Sequence, residues 1–354
     1  MALNLTASYP LSETSQVAAP RRAAVALAGR LGFSEERAGR LELVVAELAT
    51  NLVKHAAAGE LILRGIRDEL AAADPEGIEV LAVDHGPGMP DVALSRTDGH
   101  STSGSLGHGL GAVERQSDFF QIYAQPAGTV SVARVWRTAA AAEGRGRYEI
   151  GAVQVSKQGE DVCGDDWDWR MREGRTAVLL ADGLGHGMAA HEASRDAVAA
   201  FRRAHEQPPA SVIGDIHQAI RATRGAAVAM LAIDHARGVA QYAGVGNISA
   251  VVLHAAGTRQ SLISQNGTAG HTVPRLQEYQ YPVPQNALVV MYSDGLASHW
   301  DLGAYPGLRT RHPSIVAGVL YRDFCRKRDD VTVIVIRERQ ARVGSGGSPI
   351  SKKL

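Results

Sequence analysis

Thr176-Ala-Val-Leu-Leu-Ala-Asp182-Gly183 is an apolar run that ends directly in an Asp-Gly pair, and Ala287-Leu-Val-Val-Met-Tyr-Ser-Asp294-Gly295 repeats the pattern. An isolated Asp-Gly pair is usually only a turn, but a pair that follows a buried strand places a carboxylate at the strand end. Further acids stand in Cys163-Gly164-Asp165-Asp166 and in Asp329-Asp330-Val331-Thr332. The repetition predicts clustered carboxylates, which are the ligands that Mg²⁺ and Mn²⁺ prefer.

The apolar patterns around these acids predict a layered domain in the second half of the chain. Strands are expected at 148–156, 176–181, 226–234, 239–244, 250–254, 287–292 and 331–337. Helices are expected at 189–205, 211–223 and 314–324. Because strands outnumber long helices, we predict two packed sheets flanked by helices.

The first half of the chain has its own helices and strands. An Ala-rich helix is expected at 17–31, and Ser34 is a good N-cap for a second helix that ends near residue 56. Further elements are expected as strands at 60–67, 78–83, 119–124 and 129–136 and as a helix near 109–117. We therefore predict a layer of helices on a mixed sheet, so that the whole chain is of the α+β class.

Length and composition indicate two domains. The 354 residues exceed a typical single domain. A low-complexity linker at 138–146 separates a domain at 1–137 from a domain at 147–338. The Gly/Ser-rich tail at 339–354 has too little apolar surface to pack, so we expect it to be disordered.

Charge and cysteine content exclude several classes of protein. Lys+Arg and Asp+Glu both number 37, so no strong field favours nucleic acid or a membrane surface. No apolar run approaches the roughly 18 residues of a membrane helix, and the start lacks a signal-peptide pattern, so a cytoplasmic protein is expected. The two cysteines, Cys163 and Cys325, provide neither a disulfide framework nor a thiolate metal site.

Glu47, Asn51 and His55 are spaced by four residues on the second predicted helix, so they lie near one face. A carboxylate can accept the proton of a hydroxyl nucleophile, and an amide oxygen one turn away can ligate the magnesium that bridges nucleotide phosphates. On spacing alone, solvated helix surface is the commoner explanation.

Two glycine-rich stretches follow that helix. Asp84-His-Gly86-Pro-Gly88 places an acid at a strand end, before glycines whose backbone can approach a flat ligand closely. Gly107-His-Gly109-Leu-Gly111 lies at the start of a helix, where amide donors suit phosphate oxygens. Either stretch alone is also compatible with a simple Gly-rich turn.

Taken in order, these three motifs resemble the N box and the two glycine boxes of the GHKL ATPase family, over residues 15–137. The resemblance implies a Bergerat-type α/β sandwich that binds ATP with Mg²⁺. It implies that Asp84 bonds the adenine amine, that Asn51 holds Mg²⁺ and that Glu47 is the catalytic base. The other implied nucleotide contacts are Lys54, Gly86, Gly88, Gly107, Gly109 and Gly111, although Lys54 is also an ordinary exposed helix lysine.

Within that family the chain is similar to the small serine kinases of bacterial partner switching, the RsbW and RsbT group. The stretches Gly86-Pro-Gly-Met-Pro-Asp91 and Asp98-Gly-His-Ser-Thr-Ser103 favour the RsbT type. We find no histidine-phosphorylation helix before these motifs, which disfavours a sensor histidine kinase.

The acids of the second half, in their order, resemble the PPM phosphatases and their SpoIIE-like bacterial branch, over residues 147–338. The resemblance implies an αββα sandwich and hydrolysis assisted by two Mn²⁺ or Mg²⁺ ions. The implied ligands are Asp165, Asp182, the Gly183 carbonyl, Asp294 and Asp329, with Asp182 as the bridging catalytic carboxylate. Asp329 is preferred to Asp330 because the family's last metal carboxylate is the first residue of an Asp-Asp/Asn-x-Thr motif.

The short phosphatase domain and its Ala-Asp-Gly-Leu-Gly turn are similar to RsbX. The turn Gly244-Val-Gly-Asn247 also fits the family, and we expect a structural role for it. Together the two resemblances imply a bifunctional regulator that phosphorylates and dephosphorylates a serine or threonine of a STAS-domain protein of the RsbS, RsbR or RsbV kind. A sigma factor or a downstream phosphatase is a further partner that they allow.

Two alternatives remain open on sequence. The N-terminal domain could bind nucleotide and a partner without transferring phosphate, but the presence of both Glu47 and Asn51 argues against this. The chain could instead be an anti-sigma factor that sequesters sigma, which the RsbT-like loop disfavours.

Overall fold

The structure is a computed structural model of the chain. It describes residues 6–56, 59–67, 76–89, 109–139, 146–172, 174–204, 207–273 and 275–339. Most of the predicted linker and tail therefore lies outside the described residues, as do Gly107 and the stretch Asp98–Ser103.

The first half of the chain forms a five-stranded sheet in the order β1-β2-β3-β5-β4. Its strands are β1 (Thr6–Leu11), β2 (Gly59–Ile66), β3 (Gly77–Asp84), β4 (Phe119–Gln125) and β5 (Gly128–Trp136). The helices described with it are α1 (Ala18–Arg30), α2 (Glu35–His55) and α3 (Gly109–Gln116). Every pairing in this sheet is antiparallel, so the predicted mixed sheet was wrong. Helices α1 and α2 connect β1 and β2, which are antiparallel. The residue pattern within one strand does not show the direction of its neighbour in the sheet.

Helix α2 begins and ends where its sequence signals lie. The Ser34 side chain accepts a hydrogen bond from the Arg37 amide, and Glu35 and Glu36 occupy the first turn, where acids favour the helix dipole. One stripe of α2 is buried, through Leu41, Val44, Val45, Leu48, Ala49 and Leu52. This stripe packs on the sheet and leaves the neighbouring face of α2 available for polar side chains.

The second half forms two five-stranded sheets, in the orders β13-β10-β9-β8-β7 and β12-β11-β14-β15-β6. The strands are β6 (Tyr148–Val155), β7 (Asp165–Arg172), β8 (Arg175–Gly183), β9 (Ala226–Asp234), β10 (Val239–Val245), β11 (Ser249–Leu253), β12 (Arg259–Leu262), β13 (Tyr279–Pro282), β14 (Leu288–Tyr292) and β15 (Val331–Glu338). The helices are α4 (Met188–Arg203), α5 (Pro209–Ala219) and α6 (Pro313–Phe324). None of the described helices combines the length and apolar character needed to cross a bilayer.

Helix α6 lies between the two halves of the chain. One hydrophobic cluster joins Leu81, Val130 and Val132 of the first sheet to Ile315 and Val319 of α6. A second cluster fills the space between the two C-terminal sheets, and a third lies under α4 and α5. The layers therefore begin with the helices and the sheet of the first half, continue with α6, and end with the two sheets and the helices of the second half. Helix α6 packs against both domains.

Four strands were absent from the sequence-based prediction. They are β1, β7, β12 and β13, which lie at sheet edges. Strand β7, Asp-Asp-Trp-Asp-Trp-Arg-Met-Arg, is rich in charge. Asp165, Asp166 and Asp168 of this strand are buried against other parts of the fold. The alternation of polar and apolar residues along one strand does not predict such burial of charged residues.

Candidate active sites

Helices α2 and α3 bring the predicted kinase residues of the first domain together. A Cβ atom placed on Gly109 would lie 3.2 Å from Glu47 Oε2 and 3.6 Å from Asn51 Oδ1. The start of α3 therefore lies directly against the polar face of α2. Because Gly109 has no side chain, the carboxylate and the amide stay open to a ligand at the helix N-terminus.

Asp84 lies at the end of β3 with one of its carboxylate oxygens fully engaged. Its Oδ1 accepts hydrogen bonds from the Gly86 amide at 2.8 Å and from the Thr129 amide at 3.0 Å. No hydrogen bond from the described residues reaches Oδ2. The orientation of the carboxylate is fixed, and Oδ2 can accept a proton donor such as an exocyclic amine.

The glycines that follow Asp84 are required by close backbone contacts. Gly88 has a φ of +73°, and a Cβ there would lie 2.0 Å from the Gln125 carbonyl oxygen. A Cβ on Gly86 would lie 2.9 Å from the His55 carbonyl oxygen. These contacts hold the loop to the end of α2 and to the β4–β5 hairpin, so the rim of the site is largely backbone.

The remaining predicted nucleotide contacts lie at the edge of this site. Lys54 is exposed on the last turn of α2, and Gly111 is buried in the first turn of α3. Gly107 lies outside the described residues. The geometry thus groups Glu47, Asn51 and Gly109 on one side, with Asp84 on the neighbouring strand end.

In the second domain, Asp165 and Asp182 are directly opposite each other in the β7–β8 pair. Directly opposed residues of an antiparallel pair project from the same face of a sheet. Ser293 Oγ donates to Asp165 Oδ2 at 2.7 Å, while the buried Asp165 Oδ1 has no partner among the described residues. A buried oxygen without a donor is costly unless a cation or water satisfies it.

Asp294, Asp329 and Asp330 bring further carboxylates to the same end of the sandwich. Asn247 Nδ2 donates to Asp294 Oδ2 at 2.7 Å. The Asp330 carboxylate accepts from the Lys157 amide at 2.9 Å and is buried, so it holds the loop after β6. Asp329 is less buried, and its Oδ1 accepts only from the next backbone amide. The buried Asp330 Oδ2 has no partner among the described residues, as is also true of Asp165 Oδ1, so the preference for Asp329 over Asp330 stays a prediction.

The carboxylates in this cluster oppose one another's ionisation. Burial raises the pKa of Asp182, and the charges of Asp165, Asp294, Asp329 and Asp330 raise it further. Burial likewise raises the pKa of Asp165, against the hydrogen bond from Ser293. The pKa of Asp294 is raised by burial and then by Asp329. A divalent cation would relieve this repulsion.

The chemistry of these donors fits a hard divalent cation, because every candidate ligand is an oxygen. Within the described residues, no three His, Cys, Asp or Glu side chains are close enough together to enclose one ion. The carboxylates therefore interact electrostatically without converging on a single point. The assignment of Asp165, Asp182, Asp294, Asp329 and the Gly183 carbonyl as metal ligands therefore stays a prediction.

Two supporting residues were missed or given a different role on sequence. Ser293 bonds Asp165 and also accepts from the Thr332 amide at 2.9 Å, which ties β14 and β15 to β7. Its only sequence signal is its place immediately before Asp294. The turn that ends at Asn247 was expected to be structural, yet the Asn247 amide holds Asp294.

The two sites define a class: an ATP-binding kinase-like domain joined to a metal-dependent phosphatase domain. The family model for the histidine kinase-like ATPase domain matches residues 11–135, and that for stage II sporulation protein E (SpoIIE) matches residues 172–339. The chain belongs to the histidine kinase-like ATPase family in its first part and to the SpoIIE branch of the PPM phosphatases in its second part. It is a protein serine/threonine phosphatase that carries an RsbT-like protein kinase domain.

Individual relatives match each half separately. Serine/threonine-protein kinase RsbT of Bacillus subtilis is 36% identical over 106 residues, which are 30% of this chain and 77% of RsbT. Phosphoserine phosphatase RsbX of Bacillus subtilis is 23% identical over 143 residues, which are 40% of this chain and 72% of RsbX. A solved chain described for the bacterial stressosome, a modular system adapted to control secondary messenger signaling, is 27% identical with a TM-score of 0.51. That match covers 54% of this chain and all of the solved one.

Proposed function

We propose that this chain is a bifunctional partner-switching regulator, in which one domain phosphorylates a serine or threonine of a STAS-domain protein and the other removes that phosphate. The observation that carries the proposal is the presence of both sets of reactive groups on one chain. Glu47 and Asn51 lie against Gly109 in the first domain, and Asp165 lies opposite Asp182 in the second.

In the kinase reaction, Glu47 is the group that accepts the proton of the substrate hydroxyl. Asn51 would hold the Mg²⁺ that accompanies ATP, and Asp84 Oδ2 would accept a hydrogen bond from the adenine amine. The backbone amides of the predicted phosphate loop, Gly107, Gly109 and Gly111, would donate to the phosphate oxygens, and Lys54 would offset part of their charge. The bound nucleotide supplies the phosphoryl group, and positioning by these residues is the main contribution of the protein.

In the phosphatase reaction, Asp182, Asp165, Asp294, Asp329 and the Gly183 carbonyl would hold two Mn²⁺ or Mg²⁺ ions. Such ions supply the positive charge that stabilises a phosphoryl group under attack by water. Ser293 and Asn247 orient Asp165 and Asp294 through their hydrogen bonds, so they act as positioning residues.

The partner in this proposal is a STAS-domain protein of the RsbS, RsbR or RsbV kind, in the cytoplasm. The support is the likeness of the two halves to RsbT and RsbX, together with the likeness to the chain described for the stressosome. The simplest proposal for an RsbT-like kinase and an RsbX-like phosphatase on one chain is that both act on the same serine or threonine.

The experiment incubates the full chain with a STAS protein encoded beside it and labelled ATP. We expect Asp182→Ala to accumulate labelled STAS protein, because hydrolysis is lost while transfer continues. We expect Glu47→Ala to give no label but still to dephosphorylate STAS protein that the Asp182→Ala variant has phosphorylated.

Two surface acids provide controls. Glu36→Ala removes an exposed carboxylate from α2, the helix that carries Glu47, and Asp196→Ala removes a partly exposed one from α4, which follows the Asp182 loop, so both activities should persist. Absence of label transfer in the Asp182→Ala background would refute the kinase claim. Loss of hydrolysis in the Asp196→Ala control would show that the phosphatase assay reports folding rather than chemistry.

A further inference from the structure

Two apolar side chains are exposed shortly after Asp182, Leu184 on the loop and Met188 at the first residue of α4. Leu184 is 44% exposed and Met188 is 59% exposed, and they are two of the five large apolar side chains that stay exposed in the described chain. Leu184 is two residues from Asp182, so their Cα atoms lie within about 7 Å of each other. A protein segment whose phosphoserine reaches Asp182 therefore also covers this loop.

This loop is held in place by backbone contacts. The Leu184 amide donates to the Gly225 carbonyl at 3.0 Å. A Cβ on Gly183 would lie 2.0 Å from the Ala190 carbonyl oxygen, which shows how closely the loop packs on α4. Because these contacts hold the loop backbone near Asp182, the exposed side chains of Leu184 and Met188 provide an apolar contact surface beside it.

An exposed guanidinium lies beside the same loop. Arg224 Nη1 is 3.4 Å from the position that a Cβ on Gly185 would occupy. The backbone of Arg224 is anchored, because His271 Nε2 bonds its carbonyl at 2.8 Å. The Arg224 side chain is exposed, and no described acidic group pairs with it. Its charge and its donors are available to an incoming acidic group.

We propose that Leu184, Met188 and Arg224 form the docking surface for the phosphoprotein substrate. The partner segment that fits carries an apolar residue and an acidic residue close to its phosphoserine. The apolar residue is buried against Leu184 and Met188, and the acidic residue pairs with Arg224. The inference rests on the proposed phosphatase function, in which metal ions held by the carboxylate cluster would bind the phosphoryl group and this surface recognises the residues beside it.

The test compares two phosphoserine peptides of fifteen residues with p-nitrophenyl phosphate, using the full chain with Mn²⁺. One peptide carries Leu and Glu within four residues on each side of the phosphoserine, and the other carries Ser and Lys there. The wild type should prefer the Leu/Glu peptide. In Arg224→Gln and in the Leu184→Ser/Met188→Ser double variant, the kcat/KM for that peptide relative to p-nitrophenyl phosphate should fall about tenfold, mainly through KM.

Matched controls come from the same domain. Ile263→Ser removes an apolar side chain that is 55% exposed elsewhere, and Arg221→Gln removes an exposed cation three residues before Arg224. Both controls should keep the wild-type ratio, and all variants should keep the wild-type Tm because the replaced side chains are exposed.

Three outcomes would overturn the inference. If both site variants keep the wild-type ratio of kcat/KM for the Leu/Glu peptide to that for p-nitrophenyl phosphate, the surface has no docking role. Continued hydrolysis of p-nitrophenyl phosphate would in that case still support the phosphatase function. An equal loss on both substrates in Arg224→Gln assigns Arg224 to the phosphoryl group and also overturns the docking role. Failure of the wild type to hydrolyse p-nitrophenyl phosphate contradicts the proposed phosphatase function itself.

Discussion

Glu79 is a carboxylate at the centre of strand β3 that is only 2% exposed. It accepts hydrogen bonds from Arg64 and Arg134 on the neighbouring strands and from Ser314 Oγ at the start of α6, at 2.7 Å. Burial would raise the pKa of Glu79, but the charges of Arg64 and Arg134 outweigh it and hold the pKa well below its usual range. The group therefore joins the two domains as an ion.

Replacing this carboxylate should destabilise the protein. Glu79→Gln keeps the size of the side chain but leaves two arginines without a buried counterion, which costs about 3 kcal/mol or more. Urea unfolding of the full chain measures the loss. Glu76→Gln, which breaks the exposed pair with Arg137, should cost under about 1 kcal/mol. Equal losses for the two variants would contradict this account.

Glu79 should also make the free energy of unfolding depend on pH in the acidic range. The pKa of Glu79 in the folded chain lies below the ordinary value of 4.5. Its contribution to the free energy of unfolding is therefore full above pH 4.5 and is lost as the pH falls from there towards the folded pKa. The difference in unfolding free energy between wild type and Glu79→Gln should therefore be full at pH 7 and shrink below about pH 4. A difference that stays constant from pH 7 to pH 3 would exclude ionisation of Glu79 as the cause.

The repulsion within the phosphatase carboxylates predicts that divalent cations stabilise the fold. Mg²⁺ or Mn²⁺ should raise the Tm in a saturable manner, because binding to the native state shifts unfolding by mass action. The measurement is thermal unfolding against metal concentration at constant ionic strength. Asp182→Asn should give a smaller rise, since one of the oxygens that share the charge is lost. The same rise in Asp182→Asn would argue against binding at this cluster.

At the scale of single elements, α6 fits both of its neighbours closely. A Cβ on Gly318 would lie 2.7 Å from Val130 Cγ1 in the first domain, and one on Gly151 would lie 2.0 Å from the Ser314 amide. The C-terminal end of α6 leads to the carboxylate cluster, where the Ala297 amide donates to the Phe324 carbonyl at 2.9 Å. Helix α6 thus contacts the kinase-like sheet and the strand end that carries Asp294.

Glycine substitutions in two helices test this fit. Gly318→Ala should destabilise the chain by about 1–3 kcal/mol, because overpacking against Val130 exceeds the gain in helix propensity. Gly214→Ala on α5 should instead stabilise it by about 0.5–1 kcal/mol, since the new Cβ meets nothing nearer than 4.0 Å. Thermal or urea unfolding distinguishes the signs, and stabilisation by Gly318→Ala would refute the tight contact.

At the scale of the whole molecule, the two domains share a core as well as a covalent connection. Arg67 of the first domain pairs with Asp168 of the second, which also pairs with Arg202 of α4. Tyr321 of α6 donates to Glu60 of β2. These polar contacts surround the apolar cluster at α6, so the interface combines burial with directional bonds.

The shared core predicts that the two halves remain associated without their connection. A protease site inserted within residues 140–145 and then cleaved should leave halves that elute together in size-exclusion chromatography. Leu or a larger residue in place of Gly318 should weaken that association, because its side chain collides with Leu81 and Val130. Separate elution of the cleaved wild-type halves would contradict a shared core.

Local signals in the sequence determined the elements and the candidate chemistry. The N-cap at Ser34, the apolar stripe of α2 and the strands that end in Asp182 and Asp294 are all encoded over a few neighbouring residues. Such signals depend on backbone propensity and on side-chain period, which act over short distances in the chain. Family motifs then connected these elements to a kinase and a phosphatase, which the family matches confirm.

Tertiary structure alone decided what those elements contact. The antiparallel first sheet, the edge strand β7 with its buried acids, and the place of α6 between the domains depend on residues far apart in the chain. Glu79 and Ser314 are separated by 235 residues, and neither carries a local sign of the other. Burial and ion pairing across such distances are set by the packing of whole layers, so the sequence predicted the two domains and only the tertiary structure determined how they pack together.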